Sequence, residues 1–555
     1  MSQKGRLNKI PMINIKKLMR LSGIIVLCLA LYYITASSPD NTISFSHPSG
    51  FYPENFYLEI SVPDNCTVHY TLDGSTPDID SPVYSSPLLI SDATPNDNIY
   101  SAIKDISAHE SIMVPDYPVD KCTVVRAVAI NNAGTAGNVV SASYFVGITP
   151  ERYNSINTIS LITDPENLFD YHNGIYVKGE KYDQYLISGD HSKATYYWDC
   201  NYTQRGLEWE RPAVAHFFDN NGNLILEKKL GIRIRGQTSR AKVQKGFNLY
   251  ARPSYDTTDN FETDIFGSGY IPHSISLMNG GNEPALQFQD YAMTELCKGL
   301  NVSTALYKPY VLFIDGEFWG FYWLAEKFDS NYFAHYYDVD PDKVVMIKGE
   351  KVEIGEEKDI LLYNNMVEFI SNNDMSVAEN YAKACEMIDI DSFTDYFATM
   401  IYVARSHDWL NFNTSLWRTR DTQDGEYSDG KWRWIIYDCN GFTMGIASPS
   451  SYDHDTIGYA YEKSSIFRSL WSNEDFRSEL KSKLYSLSDD NFSLESTEAL
   501  INSFSSDIGP AMEYTWPRWY GSDNTKNEEF DQKLNTAKDF FEKRSNVVKG
   551  WFGDI

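Results

Sequence analysis

The chain has 555 residues, 42% of them apolar and 14% aromatic, enough to fill several ordinary domains. Its 48 lysines and arginines stand against 76 acids, a formal charge of −28. That balance excludes a nucleic-acid partner, which needs a basic face, and favours a basic substrate or plain solubility.

Residues 1–36 differ from the rest. Six cations (Lys4, Arg6, Lys9, Lys16, Lys17, Arg20) precede an apolar run from Leu21 to Ile34, with small residues after it. This predicts a secretory signal or an uncleaved signal anchor, with the bulk of the chain extracytoplasmic. The run is short for a full membrane span. Seven cysteines are scattered, with no CxxC and no zinc-like spacing. Cys66 and Cys122 share one predicted module of an exported chain. A disulfide between them is one arrangement that spacing alone does not establish.

Residues 43–147 read as all-β. Phe56–Val62, Val68–Leu72 and Thr123–Ile130 are alternating, β-branched or aromatic runs, and Asp73-Gly74 predicts a hairpin turn. The length suits a small immunoglobulin-like sandwich. The stretch Tyr70-Thr71-Leu72-Asp73-Gly74-Ser75-Thr76-Pro77 resembles the signature of the chitobiase/β-hexosaminidase C-terminal domain. That resemblance implies a module appended to secreted proteins, serving as a spacer or as a contact to cell-surface glycan.

A mixed region follows, taken as one domain over residues 155–550. Strands are predicted at Thr158–Thr163, Ala213–Phe218, Leu230–Arg235, Gly246–Ala251, Tyr310–Ile314 and Phe318–Leu324. Helices dominate later, at Glu357–Ser371, Ser376–Ile388, Ile390–Ser406, Ile466–Trp471, Asp475–Ser486 and Lys533–Val548. Strands first and helices later predict an α+β fold with a sheet-rich lobe and a helix-rich lobe.

Four segments carry candidate chemistry. In the first, a strand ending Arg233-Ile234-Arg235-Gly236 turns through Gln237-Thr238-Ser239-Arg240 and returns from Lys245. Small polar turns offer N–H groups and hydroxyls to phosphate, and Arg233 and Arg235 share a strand face. An ordinary solvated hairpin has the same pattern. The second, Gln289–Cys297, is a helix whose Glu295 is expected either to pair with Lys245 or simply to face solvent. The third joins two apolar strands at Asp315-Gly316 and runs into Ala325-Glu326-Lys327, a hinge beside which adenine would pack, or a core hairpin with no ligand. In the fourth, Asp408 and Asn413 stand five apart after a helix, and Asp438 ends the strand that follows a hairpin. This is the order in which kinases place a catalytic base and two metal-holding groups.

These segments, in this order, resemble the CotH kinase family (spore coat protein H-like). The resemblance rests on Ile234-Arg235-Gly236 with Ser239-Arg240, then Lys245-Gly246-Phe247, Asp315-Gly316-Glu317-Phe318-Trp319-Gly320, and Lys431-Trp432-Arg433-Trp434 leading to Asp438. It implies an atypical bilobal protein kinase behind the sandwich, using ATP and Mg2+ or Mn2+ to phosphorylate Ser or Thr of protein substrates. Asp408 would be the catalytic base, Asn413 and Asp438 the metal ligands. Lys245, with Arg235, Gly236 and Ser239, would meet the phosphates, and Glu326 would line the nucleotide pocket. Two positions depart from the family. Trp409-Leu410-Asn411 replaces basic residues, and Asn440 stands where a second aspartate is usual, which predicts a weaker second metal site. The other functions weighed are nucleotide attachment on the same scaffold and an inactive kinase fold serving as a surface protein.

Overall fold

The computed structural model describes residues 42–552 apart from 189–198, 407–408, 411, 442, 448–449 and 524. Residues 1–36, where an export segment is expected, and Asp408 therefore lie outside the described residues. Among the described residues no helix is long and apolar enough to cross a membrane.

The chain opens with a sandwich. Its strands are β1 (Gly50–Tyr52), β2 (Phe56–Leu58), β3 (Cys66–Thr71), β4 (Leu88–Ile90), β5 (Thr123–Asn131) and β6 (Val140–Val146). One sheet runs β1-β6-β5-β3, and β2-β4 covers part of it, with Leu58, Ile90, Val125 and Tyr144 buried between. Asp73-Gly74 does not close a two-residue hairpin. β3 pairs with β5, and meets residues 82–84 only across a wider loop. The Cys66–Cys122 disulfide is also overturned, by the register of the two strands. Register sets Cys66 opposite Asn131, at the far end of β5 from Cys122, which is roughly 30 Å along the strand. A disulfide needs its Cα atoms within about 7 Å.

β5 is buried on both faces because the sandwich lies against a barrel. Val124 and Phe145 join the main core, and Ser143 Oγ bonds Ser160 Oγ at 2.8 Å. The barrel strands are β7 (Asn157–Ile162), β8 (Arg211–Phe218), β9 (Leu224–Ile234), β10 (Phe247–Tyr250), β11 (Ser274–Met278), β12 (Tyr307–Ile314) and β13 (Glu317–Glu326). They close in the order β10-β11-β13-β12-β7-β8-β9. Alternation sorts the side chains: Ile159, Phe217, Ile232, Leu249, Leu312 and Tyr322 fill the inside. Phe313, Phe321 and Trp323 lie in the other cluster, Phe313 against Phe145 of the sandwich and Trp323 stacked on Tyr291 of a flanking helix. Around the barrel lie α1 (Pro165–Phe169), α2 (Gly179–Ser188) and α3 (Gln289–Leu296).

The second lobe begins with α4 (Ser330–Tyr337) and a sheet ordered β15-β14-β16-β17. Its strands are β14 (Val344–Lys348), β15 (Lys351–Ile354), β16 (Ser415–Thr419) and β17 (Arg433–Ile435). Helices α5 (Ile360–Asn372), α6 (Ala378–Met387) and α7 (Ile390–Tyr402) lie between β15 and β16. After β17 come α8 (Thr456–Lys463), α9 (Ser465–Leu470), α10 (Glu474–Asp489), α11 (Leu494–Tyr520) and α12 (Thr525–Gly550). The architecture is α+β, a β-rich module followed by a sheet-rich and then a helix-rich lobe.

α11 joins the lobes. Phe321 N donates to Thr515 Oγ1 at 2.9 Å, and Trp519 Nε1 to the Trp319 carbonyl at 2.9 Å. Gly320, at φ +113°, has Thr515 and Trp519 where a Cβ would stand. This helix contains Pro510, which cannot donate to the Ser506 carbonyl. Asn154 fills the gap from outside, donating Nδ2 to the Ser506 and Asp507 carbonyls at 3.2 and 3.1 Å.

Candidate active site

β9 and β10 are joined by a short irregular loop. Gly236 sits at φ +101°, a region glycine enters without strain, and an added Cβ would run into the Ser239 hydroxyl. A single 3-10 turn follows at Thr238–Ala241. Ser239 is buried under it, and Arg240 Nε donates back to the Gly236 carbonyl at 2.6 Å. The loop is thus a closed cradle rather than an open hairpin.

Lys245 lies beneath this cradle. Its ammonium donates to the Arg240 carbonyl at 2.7 Å and the Lys242 carbonyl at 2.6 Å, and rests 4.0 Å from the Tyr202 ring centroid. The side chain is fully buried, and that burial pulls its pKa down to about 7. The Lys245–Glu295 pair does not form. Glu295 instead bridges Lys298 one helical turn on, at 2.5 Å. Two backbone carbonyls satisfy the amine, so it needs no carboxylate.

The acid that α3 does contribute is Asp290, in its first turn. Asp290 Oδ1 accepts from the Cys439 N–H at 2.6 Å, and Oδ2 from Asn440 Nδ2 at 2.8 Å. The same Asn440 amide donates to Asp438 Oδ1 at 2.7 Å. Burial first, and then the charge of Asp438, push the Asp290 pKa up, while the Arg235 guanidinium acts the other way. Arg235, one residue past the end of β9, is near enough for its charge to act on Asp290. Arg233, on the same strand face, is taken by Glu210 at 3.4 Å.

Asp438 sits at φ +53°, a left-handed conformation, just beyond β17. Such a backbone persists only where its surroundings hold it. Here Arg405, wholly buried after α7, donates to the Asp438 carbonyl at 2.6 Å and the Tyr437 carbonyl at 3.2 Å. Gly281, at φ +59°, lets the β11–α3 connection close on Asn440, whose Oδ1 accepts from Asn282 N at 3.1 Å. Asn413 is half-buried two residues before β16. Asp408 lies outside the described residues.

Glu326, expected at the nucleotide pocket, and the Asp315-Gly316 turn both have structural partners. Glu326 has both oxygens engaged, Oε1 by Tyr336 OH at 2.6 Å and Oε2 by Leu306 N at 2.9 Å, and burial raises its pKa. It ties β12, β13 and α4 together. The Asp315-Gly316 turn faces the sandwich. The Gly316 carbonyl accepts from Cys122 N at 2.8 Å, and Glu317 accepts from Ile99 N and Ser101 N at 2.6 and 2.7 Å. That family motif is a docking edge for the preceding module.

Among the described residues no cluster of three His, Cys, Asp or Glu groups could hold a metal alone. The set present still suits magnesium. Asp290 and Asp438 are hard oxygen donors joined by a single amide, and their mutual repulsion is what a divalent cation would relieve. Phosphate oxygens would complete its shell.

A barrel lobe over a helical lobe, with a glycine-turned cradle and an acidic pair between them, defines a kinase-like protein. The family model described as CotH kinase protein matches residues 232–548, more than half of the chain, and the chain belongs to that family. A second model, described as Fn3 associated, matches residues 58–144 of the sandwich. No curated relative matches the chain.

Proposed function

We propose that the protein is an ATP-dependent phosphotransferase acting on Ser or Thr hydroxyls of extracytoplasmic proteins. The observation that carries this reading is the Asp290–Asn440–Asp438 set, held in a strained backbone by Arg405, with the charge of Arg235 acting on Asp290.

Phosphoryl transfer asks the protein mostly for positioning and charge neutralisation. The Gly236–Ser239 cradle and Arg235 receive the phosphates, with Lys245 fixing the cradle from below. Asp438, Asn413 and Asp290 would hold magnesium, which when bound supplies charge neutralisation at the phosphates. The substrate hydroxyl attacks the γ-phosphorus, the bond from that phosphorus to the β,γ-bridging oxygen breaks, and ADP leaves. The hydroxyl proton goes to the carboxylate of Asp408. The net charge of −28 over the whole chain favours a basic protein substrate. The N-terminal segment would deliver the chain outside the cytoplasm.

The test is incubation of residues 37–555 with ATP labelled at the α or the γ phosphate. Transfer of γ-label supports this reading. Transfer of α-label with none of the γ would replace it with nucleotide attachment.

A further inference from the structure

β4 ends at Ile90 and β5 begins at Thr123, and the chain between them contains no strand or helix. A connection that long without an element of its own is uncommon in a compact domain and is usually functional. This one leaves the sandwich and lies over the end of the barrel. Tyr100 and Ile106 are buried in the barrel's interior cluster. Asp105 then accepts from Lys178 N at 2.8 Å through its carbonyl.

Beyond that anchor the segment meets the phosphate cradle. Ser107 Oγ donates to the Ala241 carbonyl at 2.6 Å. Glu110 spans the next two residues: Oε1 accepts from Lys242 Nζ at 2.9 Å, and Oε2 from Val243 N at 2.8 Å. Three consecutive loop residues are thus held from the sandwich side, while Lys245 holds two carbonyls from the barrel side. The contacts continue to the acidic pair. Asn279 Nδ2 donates to the Gln244 carbonyl at 2.6 Å, and three residues on, along the connection that leads to α3, Asn282 N donates to Asn440 Oδ1 at 3.1 Å.

We propose that Glu110 is a positioning residue for the nucleotide phosphates, so that the sandwich is a working part of the nucleotide site. The carboxylate touches no substrate. It acts through Lys242 and Val243, fixing the loop before ATP arrives and removing an ordering cost from binding. This rests on reading residues 236–245 as the phosphate loop. A merely adhesive contact between the two modules would instead act on overall stability.

The test uses the full chain and three variants. Glu110→Ala removes both contacts. Glu110→Gln keeps an acceptor for Val243 N but loses the ion pair. Thr76→Ala cuts another contact of the same interface, Thr76 Oγ1 to Asp164 at 2.9 Å, away from the loop. The expected result is an ATP KM raised tenfold or more in Glu110→Ala with kcat within twofold, an intermediate KM in Glu110→Gln, and no change in Thr76→Ala. Amide exchange at residues 237–243 would quicken in Glu110→Ala without nucleotide. An intact chain that binds ATP, with Glu110→Ala unchanged in KM or altered only in kcat, overturns this inference alone. An intact chain that binds no ATP overturns the phosphate-loop reading along with it.

Discussion

Asn440 Nδ2 donates to Asp290 Oδ2 at 2.8 Å, and its second hydrogen goes to Asp438 Oδ1 at 2.7 Å. In the proposed metal set, Asn440 thus ties in a carboxylate from α3 where the family resemblance leads one to expect a second aspartate on the loop.

Asp290→Asn tests that substitution of roles. Asparagine keeps an acceptor for the Cys439 N–H but sets its amide donor against Asn440 Nδ2, so the fold should survive at a modestly lower melting temperature. The lost charge should weaken Mn2+ binding, measured by titration with a non-hydrolysable ATP analogue present, by about tenfold or more, the range seen when groups supporting a metal site are removed. An unchanged affinity would mean that Asp290 serves only the loop's geometry.

Lys245 gives the protein a pH signature. Its pKa is about 7 when folded, against an ordinary 10.5. Between those values the unfolded chain binds more protons at this residue than the folded one, so its contribution makes stability rise with pH across that window. Below pH 7 the penalty for burying the ammonium is fully present, on the order of a few kcal/mol. Denaturant titrations at pH 7 and pH 9 should show this rise in the intact chain and a smaller one in Lys245→Met. Equal slopes in the two would show that the amine does not titrate there.

Gly236→Ala should damage the cradle locally. A side chain at φ +101° costs about 1–3 kcal/mol, and here it also meets the Ser239 hydroxyl. The predicted outcome is a raised KM for ATP with the far-ultraviolet circular dichroism unchanged. Wild-type KM in this variant would remove the loop from the phosphate site.

Cysteine chemistry distinguishes the two modes of holding the sandwich together. Cys122 is buried and its thiol is pushed up to about 12 by that burial, so it should resist iodoacetamide in the folded chain. After unfolding without reductant, both Cys66 and Cys122 should alkylate, read by peptide mass spectrometry. Protection that only a reductant relieves would restore the disulfide.

The barrel was legible where strands alternate or run apolar against turn signals, as at β8 and at the β12–β13 pair around Asp315-Gly316. β11 was not, because the Ser-Ile-Ser-Leu alternation of Ser274–Met278 is only five residues long with the following Met, too short to stand out from the loops around it. α11 was hidden by Pro510 and Pro517, which argue against a helix until the compensating Asn154 amide is seen. At the site, the order of glycine turn, helix and Asp438 could be read from spacing. The choice of acid on α3 could not. Glu295 looked suitable because it is an acid on the right helix, yet only the packing of the helix start against the Asp438–Asn440 loop selects Asp290. An acid in a first helical turn was the available signal. Likewise, nothing in residues 91–122 announces that they leave their own sandwich to bind a loop more than a hundred residues on.

The most direct measurement is transfer of γ-labelled phosphate from ATP, with magnesium or manganese, by residues 37–555 beside Asp438→Ala, using the protein itself and a basic protein as acceptors. Metal-dependent label on Ser or Thr that Asp438→Ala loses is the predicted result. Label that persists in Asp438→Ala, or none from an intact chain that binds ATP and metal, would contradict the account.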